Sequence, residues 1–202
     1  MAAIGKVYRK VRYGKPVIVV SGLPRSGTSM AMQMLETGGL PIVTDGVRQA
    51  NEDNPKGYYE YERVKNLHRD SDRSWVREAR GKAIKVISYF LKDLPATNNY
   101  QVILIERDLR EILASQAKML ERRNEANESN DERMLELYQD HLWQVKSLLK
   151  HRPHFQTMVL DYKDVVNTPL EQARRMHEFL GMPLDLEKMA SVVDGQLYRN
   201  RR

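Results

Sequence analysis

The 202-residue sequence has no cysteine, which excludes a disulfide framework and any thiolate metal site and is compatible with a reducing compartment. No apolar run approaches the roughly 18 residues that a membrane-spanning helix needs. The N-terminal stretch MAAIGKVYRKVRYGKP carries the charge of a signal peptide without its apolar centre, so no cleaved leader is expected. A soluble, cytoplasmic chain without integral membrane contact is the resulting expectation. The 11 glycines and 8 prolines are scattered, and no internal repeat is present, which excludes a low-complexity or solenoid architecture. None of the five histidines stands four residues from another and no acidic triplet occurs, so no metal is expected. Basic and aromatic residues do not interleave into a stripe. The net charge of +6, gathered at Lys6 to Lys15 and in the tail YRNRR, therefore fits a protein that handles a small, multiply charged anion better than one that binds nucleic acid.

What is present is ordinary for a globular protein, with 41% hydrophobic and 30% charged residues, and the length suits one domain over residues 1–202. Continuous apolar runs, the mark of strands buried on both faces, occur at KPVIVVS, at Pro41 to Thr44, and at KAIKVIS, YQVILIER and FQTMVLDY. Between them lie helical patterns. TSMAMQMLETGG ends in glycines, a helix is predicted from Glu60 to Arg80, and another runs from Leu109 to Arg122. Ser129 and Glu132 make a capping-box pair ahead of Leu135, Tyr138, Leu142, Val145 and Leu149. Thr168, Pro169 and Glu171 predict the start of a last helix, and Gly181 its end. Alternating strands and helices predict a three-layer α/β domain with a mainly parallel sheet, whose ligands bind beyond the carboxyl ends of the strands. Segments 45–80 and 121–150 are candidate lid or acceptor-site elements.

That edge carries the unusual residues. VIVVSGLPRSGTSM has the strand, loop and helix of a phosphate-binding loop, with Gly22 and Gly27 correctly spaced. Thr28 stands where a nucleotide-hydrolysing loop has lysine, and Arg25 lies inside the loop instead. Backbone amides from Leu23 to Ser29, the Arg25 fork and the hydroxyls of Thr28 and Ser29 can converge on an anion at the helix start. Lys85 sits inside an apolar strand, a costly place unless it is paired or faces a ligand, although an edge-strand lysine in water would read the same way. Arg107 leaves a strand, and Ser115 follows it on the next helix.

As a set, these residues resemble the sulfotransferases that use 3′-phosphoadenosine 5′-phosphosulfate (PAPS). LPRSGTSM is similar to their [KR]-S-G-T loop in its arginine form, as in the tyrosylprotein enzymes. The resemblance assigns the 5′-phosphosulfate to Arg25, Ser26, Gly27, Thr28 and Ser29. RDLREILAS resembles the arginine and serine pair that holds the 3′-phosphate, here Arg107 and Ser115. AIKVIS resembles the strand whose lysine, here Lys85, contacts the phosphosulfate. LDYKDVVNTPLEQARRMHEFLG resembles a late segment that would place Tyr162 near the adenine. The implied reaction is in-line sulfuryl transfer from PAPS to a hydroxyl or amine of a small-molecule, sugar, lipid or peptide acceptor.

Two departures accompany the match. The catalytic histidine of the cytosolic enzymes is replaced by Ile87, which leaves Asp45 and Glu60 as alternative general bases, each of which also reads as a helix cap or surface charge. The late glycine-rich loop is absent, and DGQLYRNRR, with Arg199 and Arg201, is either its substitute or a basic tail. A nucleoside-triphosphate enzyme would need a lysine after Gly27 and a magnesium acid at a strand end, where Glu106 and Asp161 stand. A non-catalytic nucleotide binder of the same fold is the other alternative.

Overall fold

The first apolar run is strand β1, Pro16–Gly22, and its buried character follows from its place at the middle of the sheet. The structure is a computed structural model that describes residues 8–9, 11–47, 57–125 and 130–194. After β1 come helix α1 (Thr28–Thr37), β2 (Ile42–Val43), α2 (Glu62–Lys65), β3 (Ala83–Lys85), β4 (Asn99–Glu106), α3 (Leu109–Arg122), α4 (Asp131–His151) and β5 (Phe155–Asp161). Helices α5 (Tyr162–Asn167), α6 (Pro169–Leu180) and α7 (Leu186–Ser191) complete the described chain. The five strands form one sheet in the order β2-β3-β1-β4-β5, with every pairing parallel.

Val17 to Val20 are fully buried because alternate side chains enter different cores. Ile18 and Val20 pack with Met32, Met34 and Leu35 of α1 and with Met176 of α6. Val17 and Val19 pack on the other face with Trp75, Val76 and, from α4, Val145 and Leu149. Each such side chain contributes about 1.5–3 kcal/mol of burial energy, so the sheet is held from both sides and the three-layer expectation is met. The parallel register brings the strand ends to one edge: Gly22 lies opposite Ile105, Val20 opposite Lys85 and Glu106 opposite Asp161.

The expected helix from Glu60 to Arg80 is not continuous. Only Glu62–Lys65 is α-helical, and Ser74–Ala79 is a 3-10 turn. The carboxylate of Asp70 accepts from the Asp72 amide at 3.0 Å, and that of Asp72 from the Ser74 amide at 2.9 Å, so short side chains take over donors a helix would have used. Helix α4 is capped by Asn130, whose side chain accepts from the Arg133 amide at 3.1 Å; Ser129 lies outside the described residues. Pro169 opens α6 as expected, but Thr168 makes no cap to it, since its hydroxyl donates to the Asp164 carbonyl at 3.0 Å. Gly181 ends α6 in the left-handed conformation. Among the described residues, no helix is long and apolar enough to cross a membrane.

Candidate active site

The loop between β1 and α1 is shaped by close approaches that only glycine permits. A Cβ on Gly22 would stand 2.6 Å from the Ile105 carbonyl oxygen and 2.4 Å from Ser26 Oγ. At Gly27, where φ is 103°, it would stand 2.4 Å from the Tyr162 ring. The Ser26 amide donates to the Leu23 carbonyl at 3.1 Å, closing the turn. Between the glycines, Arg25 holds a φ of 71°, a conformation that disfavours a side chain by about 1 kcal/mol and persists only where neighbours impose it. Ser21 Oγ and Ser26 Oγ are buried with no hydrogen-bond partner among the described residues. An orphaned donor inside the loop, Ser26 Oγ, and another at the end of the strand that enters it, Ser21 Oγ, are what a cradle for an anion at a helix N-terminus requires, and in this respect the loop fits a phosphate or sulfate group.

The neighbours of Arg25 come from the end of β4 and from α3. Arg107 Nη1 donates to the Arg25 carbonyl at 3.2 Å, and Arg25 Nε donates to Ser115 Oγ at 3.1 Å. Arg107 Nε meets the Glu111 carboxylate at 2.9 Å, with both side chains almost fully buried. Its guanidinium lies 4.3 Å above the Tyr162 ring, the same ring that abuts Gly27. Burial pushes the Tyr162 hydroxyl above its usual pKa, against the lowering effect of the Arg107 charge. Residues 25, 107, 115 and 162, from three separate stretches of the sequence, thus form one packed unit. Glu111 also belongs to that unit, and its only mark in the sequence is its position midway between Arg107 and Ser115, at helical i+4 spacing from each.

Lys85 ends β3 and is buried, with 7% of its surface exposed. Its Nζ donates to Ser29 Oγ at 3.4 Å and to the Tyr58 carbonyl, and lies 3.8 Å from Glu60 Oε1. Ser29 Oγ also donates to the Tyr58 carbonyl, at 3.3 Å. The lysine is therefore paired and turned toward α1 rather than toward water. Glu60 is shared with Lys65 at 3.3 Å. Asp45 occupies a different position: its carboxylate accepts from the Glu62 amide at 2.5 Å and from the Val47 amide at 3.1 Å. Burial pushes its carboxyl up, but those amides and the Lys65 charge outweigh burial and hold it below the usual aspartate value. Of the two acids, Asp45 accepts the Glu62 amide at the start of α2, and Glu60 stands beside Lys85.

Histidine at 87 is absent, but His141 reaches the exit of β3 from α4. Its Nε2 lies 2.9 Å from Ser88 Oγ and its ring stacks on Tyr89 at 4.0 Å. Burial and the Lys92 charge lower its pKa. No linear pattern links residues 88 and 141. The two acids that a magnesium-dependent enzyme would use are engaged elsewhere: Glu106 pairs with Lys146 at 2.8 Å, and Asp161 accepts from the Lys163 amide at 2.8 Å as the cap of α5. A depression of about 400 Å³ lined by Asp70, Arg73, Arg77 and Asn98 lies by the amino end of β4, away from all these groups. Arg199 and Arg201 lie outside the described residues, as does most of the polar loop that follows Asp45.

Residues 15–201 match the family described as the sulfotransferase domain, and the chain belongs to that family. Solved structures similar to it include sulfotransferase STF1 from Mycobacterium tuberculosis H37Rv, 13% identical with a TM-score of 0.55, covering 95% of this chain and 76% of that one. The sulfotransferase domain of the Synechococcus PCC 7002 olefin synthase is 12% identical, TM-score 0.54, covering 92% and 79%. Mouse sulfotransferase SULT7A1, solved in complex with PAP, is 17% identical, TM-score 0.53, covering 88% of this chain and 61% of that one. At such identities the likeness establishes the fold. No curated protein matches the chain in sequence.

Proposed function

We propose that the protein is a PAPS-dependent sulfotransferase that delivers the sulfuryl group to a hydroxyl or amine of an acceptor molecule. The observation that carries this reading is the cross-tied pair of strand exits: Arg25 in the loop after β1 bonded to Ser115, and Arg107 after β4 bonded to the Arg25 carbonyl. Two cationic groups and a hydroxyl from separate elements converge beside a loop with orphaned buried hydroxyls. That donor set suits a nucleotide carrying anionic groups at two places.

When bound, PAPS would supply a sulfuryl group already activated by its bond to a phosphate leaving group. Ser26, Gly27, Thr28 and Ser29 would hold the 5′-phosphosulfate through loop amides and hydroxyls, Arg107 and Ser115 the 3′-phosphate, and Tyr162 the adenine side. Arg25 and Lys85 stabilise negative charge that grows on oxygen as the S–O bond to phosphate breaks, a preorganised electrostatic role. Glu60 takes the acceptor proton as the new O–S bond forms, and its place 3.8 Å from Lys85 favours it over Asp45, whose carboxylate is committed to the Glu62 and Val47 amides. The chain, residues 1–202, acts as one domain in this reading, with 45–80 and 121–150 shaping the acceptor site.

Thermal shift tests it. Stabilisation by 3′,5′-adenosine bisphosphate, with none by ATP and magnesium, is expected; stabilisation by ATP and magnesium alone overturns it. Transfer of labelled sulfate from PAPS to a panel of hydroxyl acceptors, lost in Arg25→Ala, then separates an enzyme from a binder.

A further inference from the structure

Glu111 is an acid in a place that a phosphate site would be expected to keep free of acids. It lies four residues from Arg107 and four from Ser115, so a phosphate shared by those two must come close to its carboxylate. Its Oε2 is 2.9 Å from Arg107 Nε, and the pair is 8% and 5% exposed. The same guanidinium is fixed by the Arg25 carbonyl and by the Tyr162 ring.

We propose that Glu111 sets the affinity for the 3′-phosphate by standing in for it when the nucleotide is absent. The proposal rests on the PAPS reading above. An arginine buried to this degree needs an anion beside it, because an uncompensated buried charge is strongly destabilising. Glu111 provides that anion in the ligand-free protein. When a 3′-phosphate arrives, it shares the Arg107 guanidinium with the Glu111 carboxylate, and the repulsion between the two anions weakens the phosphate's hold. The carboxylate thus keeps the arginine folded into place and also limits how tightly the bisphosphate product is retained. A neutral residue there would leave the free protein less stable and the product slower to leave.

The test compares two ligands, 3′,5′-adenosine bisphosphate and adenosine 5′-phosphate, by calorimetric titration of the wild type and Glu111→Gln, with the melting temperature of each ligand-free protein. Glutamine keeps the shape and an accepting oxygen but removes the charge. E111Q is expected to melt lower without ligand, to bind the bisphosphate about tenfold more tightly, and to bind the 5′-phosphate within about twofold of wild type. A merely structural ion pair predicts the opposite for the bisphosphate, since a loosened Arg107 holds it less well. Unchanged or weaker bisphosphate binding by E111Q overturns the proposal while the PAPS reading stands. Wild-type protein that binds neither ligand overturns the PAPS reading itself, and this proposal with it. If E111Q does not fold, Glu111→Asp, which withdraws the charge by one methylene, carries the test: a gain of about threefold for the bisphosphate alone is expected, and no gain overturns the proposal.

Discussion

The two sides of the site are built differently. On the β1–β4 side, Arg25, Arg107, Glu111, Ser115 and Tyr162 are tied to one another by side chains from rigid elements, with a buried ion pair at the centre. On the β3 side, Lys85 is what the sheet contributes, and besides Ser29 Oγ on α1 it meets a backbone carbonyl at Tyr58 and the carboxylate of Glu60, both on an irregular segment before α2. A side built from strand ends and one helix face holds a fixed ligand in a fixed pose. A side built from an irregular strap can be reshaped without disturbing the sheet. In the proposed reading, that difference suits a co-substrate that is always the same and an acceptor that varies.

Removing Arg107 attacks the rigid side at its centre and carries the largest expected effect. Arg107→Ala leaves the Glu111 carboxylate buried without its cation, which costs about 3–5 kcal/mol in urea unfolding. Bisphosphate affinity is expected to fall about a hundredfold or more, because charge-assisted hydrogen bonds are lost. Full retention of both would show that the ion pair does not organise this half. The strap side responds in a different quantity. Glu60→Gln is expected to lower kcat by about two to three orders of magnitude, as loss of a general base does, with bisphosphate affinity changed less than about threefold. An E60Q protein with normal turnover would dismiss Glu60 as the base.

Two glycines offer the same comparison at smaller scale. Gly27 and Gly57 both have positive φ, 103° and 90°. A methyl on Gly27 runs into the Tyr162 ring at 2.4 Å, whereas no described atom lies within 4 Å of a Cβ on Gly57. Gly27→Ala is expected to cost about 2 kcal/mol or more and to weaken nucleotide binding, while Gly57→Ala costs only the backbone strain of about 1 kcal/mol. Equal losses in chemical denaturation would erase the contrast between the packed side and the strap.

The same contrast governs how much was legible in the sequence. Strands β1 and β4 are long apolar runs buried on both faces, and the glycine-spaced loop follows directly from one of them, so the fold class and residues 25, 107 and 115 could be read from local pattern. The strap could not. Glu60 to Arg80 has an acceptable helical pattern, yet the carboxylates of Asp70 and Asp72 capture amides locally and break it, a competition that periodicity does not register. The choice between Asp45 and Glu60 was equally hidden, since Asp45 lies 17 residues before Glu62 and only the fold shows that its carboxylate accepts the first α2 amide. His141 meets Ser88 across 53 positions, and Tyr58 serves Lys85 through its carbonyl, which no side-chain motif records.

Asp45 gives the smallest effect and the finest test of the strap. Its carboxyl is held below the ordinary aspartate value of 3.8 in the folded protein, by the Glu62 and Val47 amides acting against burial. A group whose folded pKa is depressed contributes stability that is fully present above its unfolded pKa and is lost as pH falls through the folded one. Asp45→Asn should therefore be less stable than wild type at neutral pH, and the gap should close below about pH 4 as the wild-type carboxyl takes up a proton. The carboxylate is largely exposed, so screening limits the difference to about 0.5 kcal/mol. Melting curves across pH 2 to 7 check this. A gap that stays constant with pH would mean that the asparagine loses packing rather than charge, and a D45N protein with strongly reduced turnover would move the acceptor base from Glu60 to Asp45.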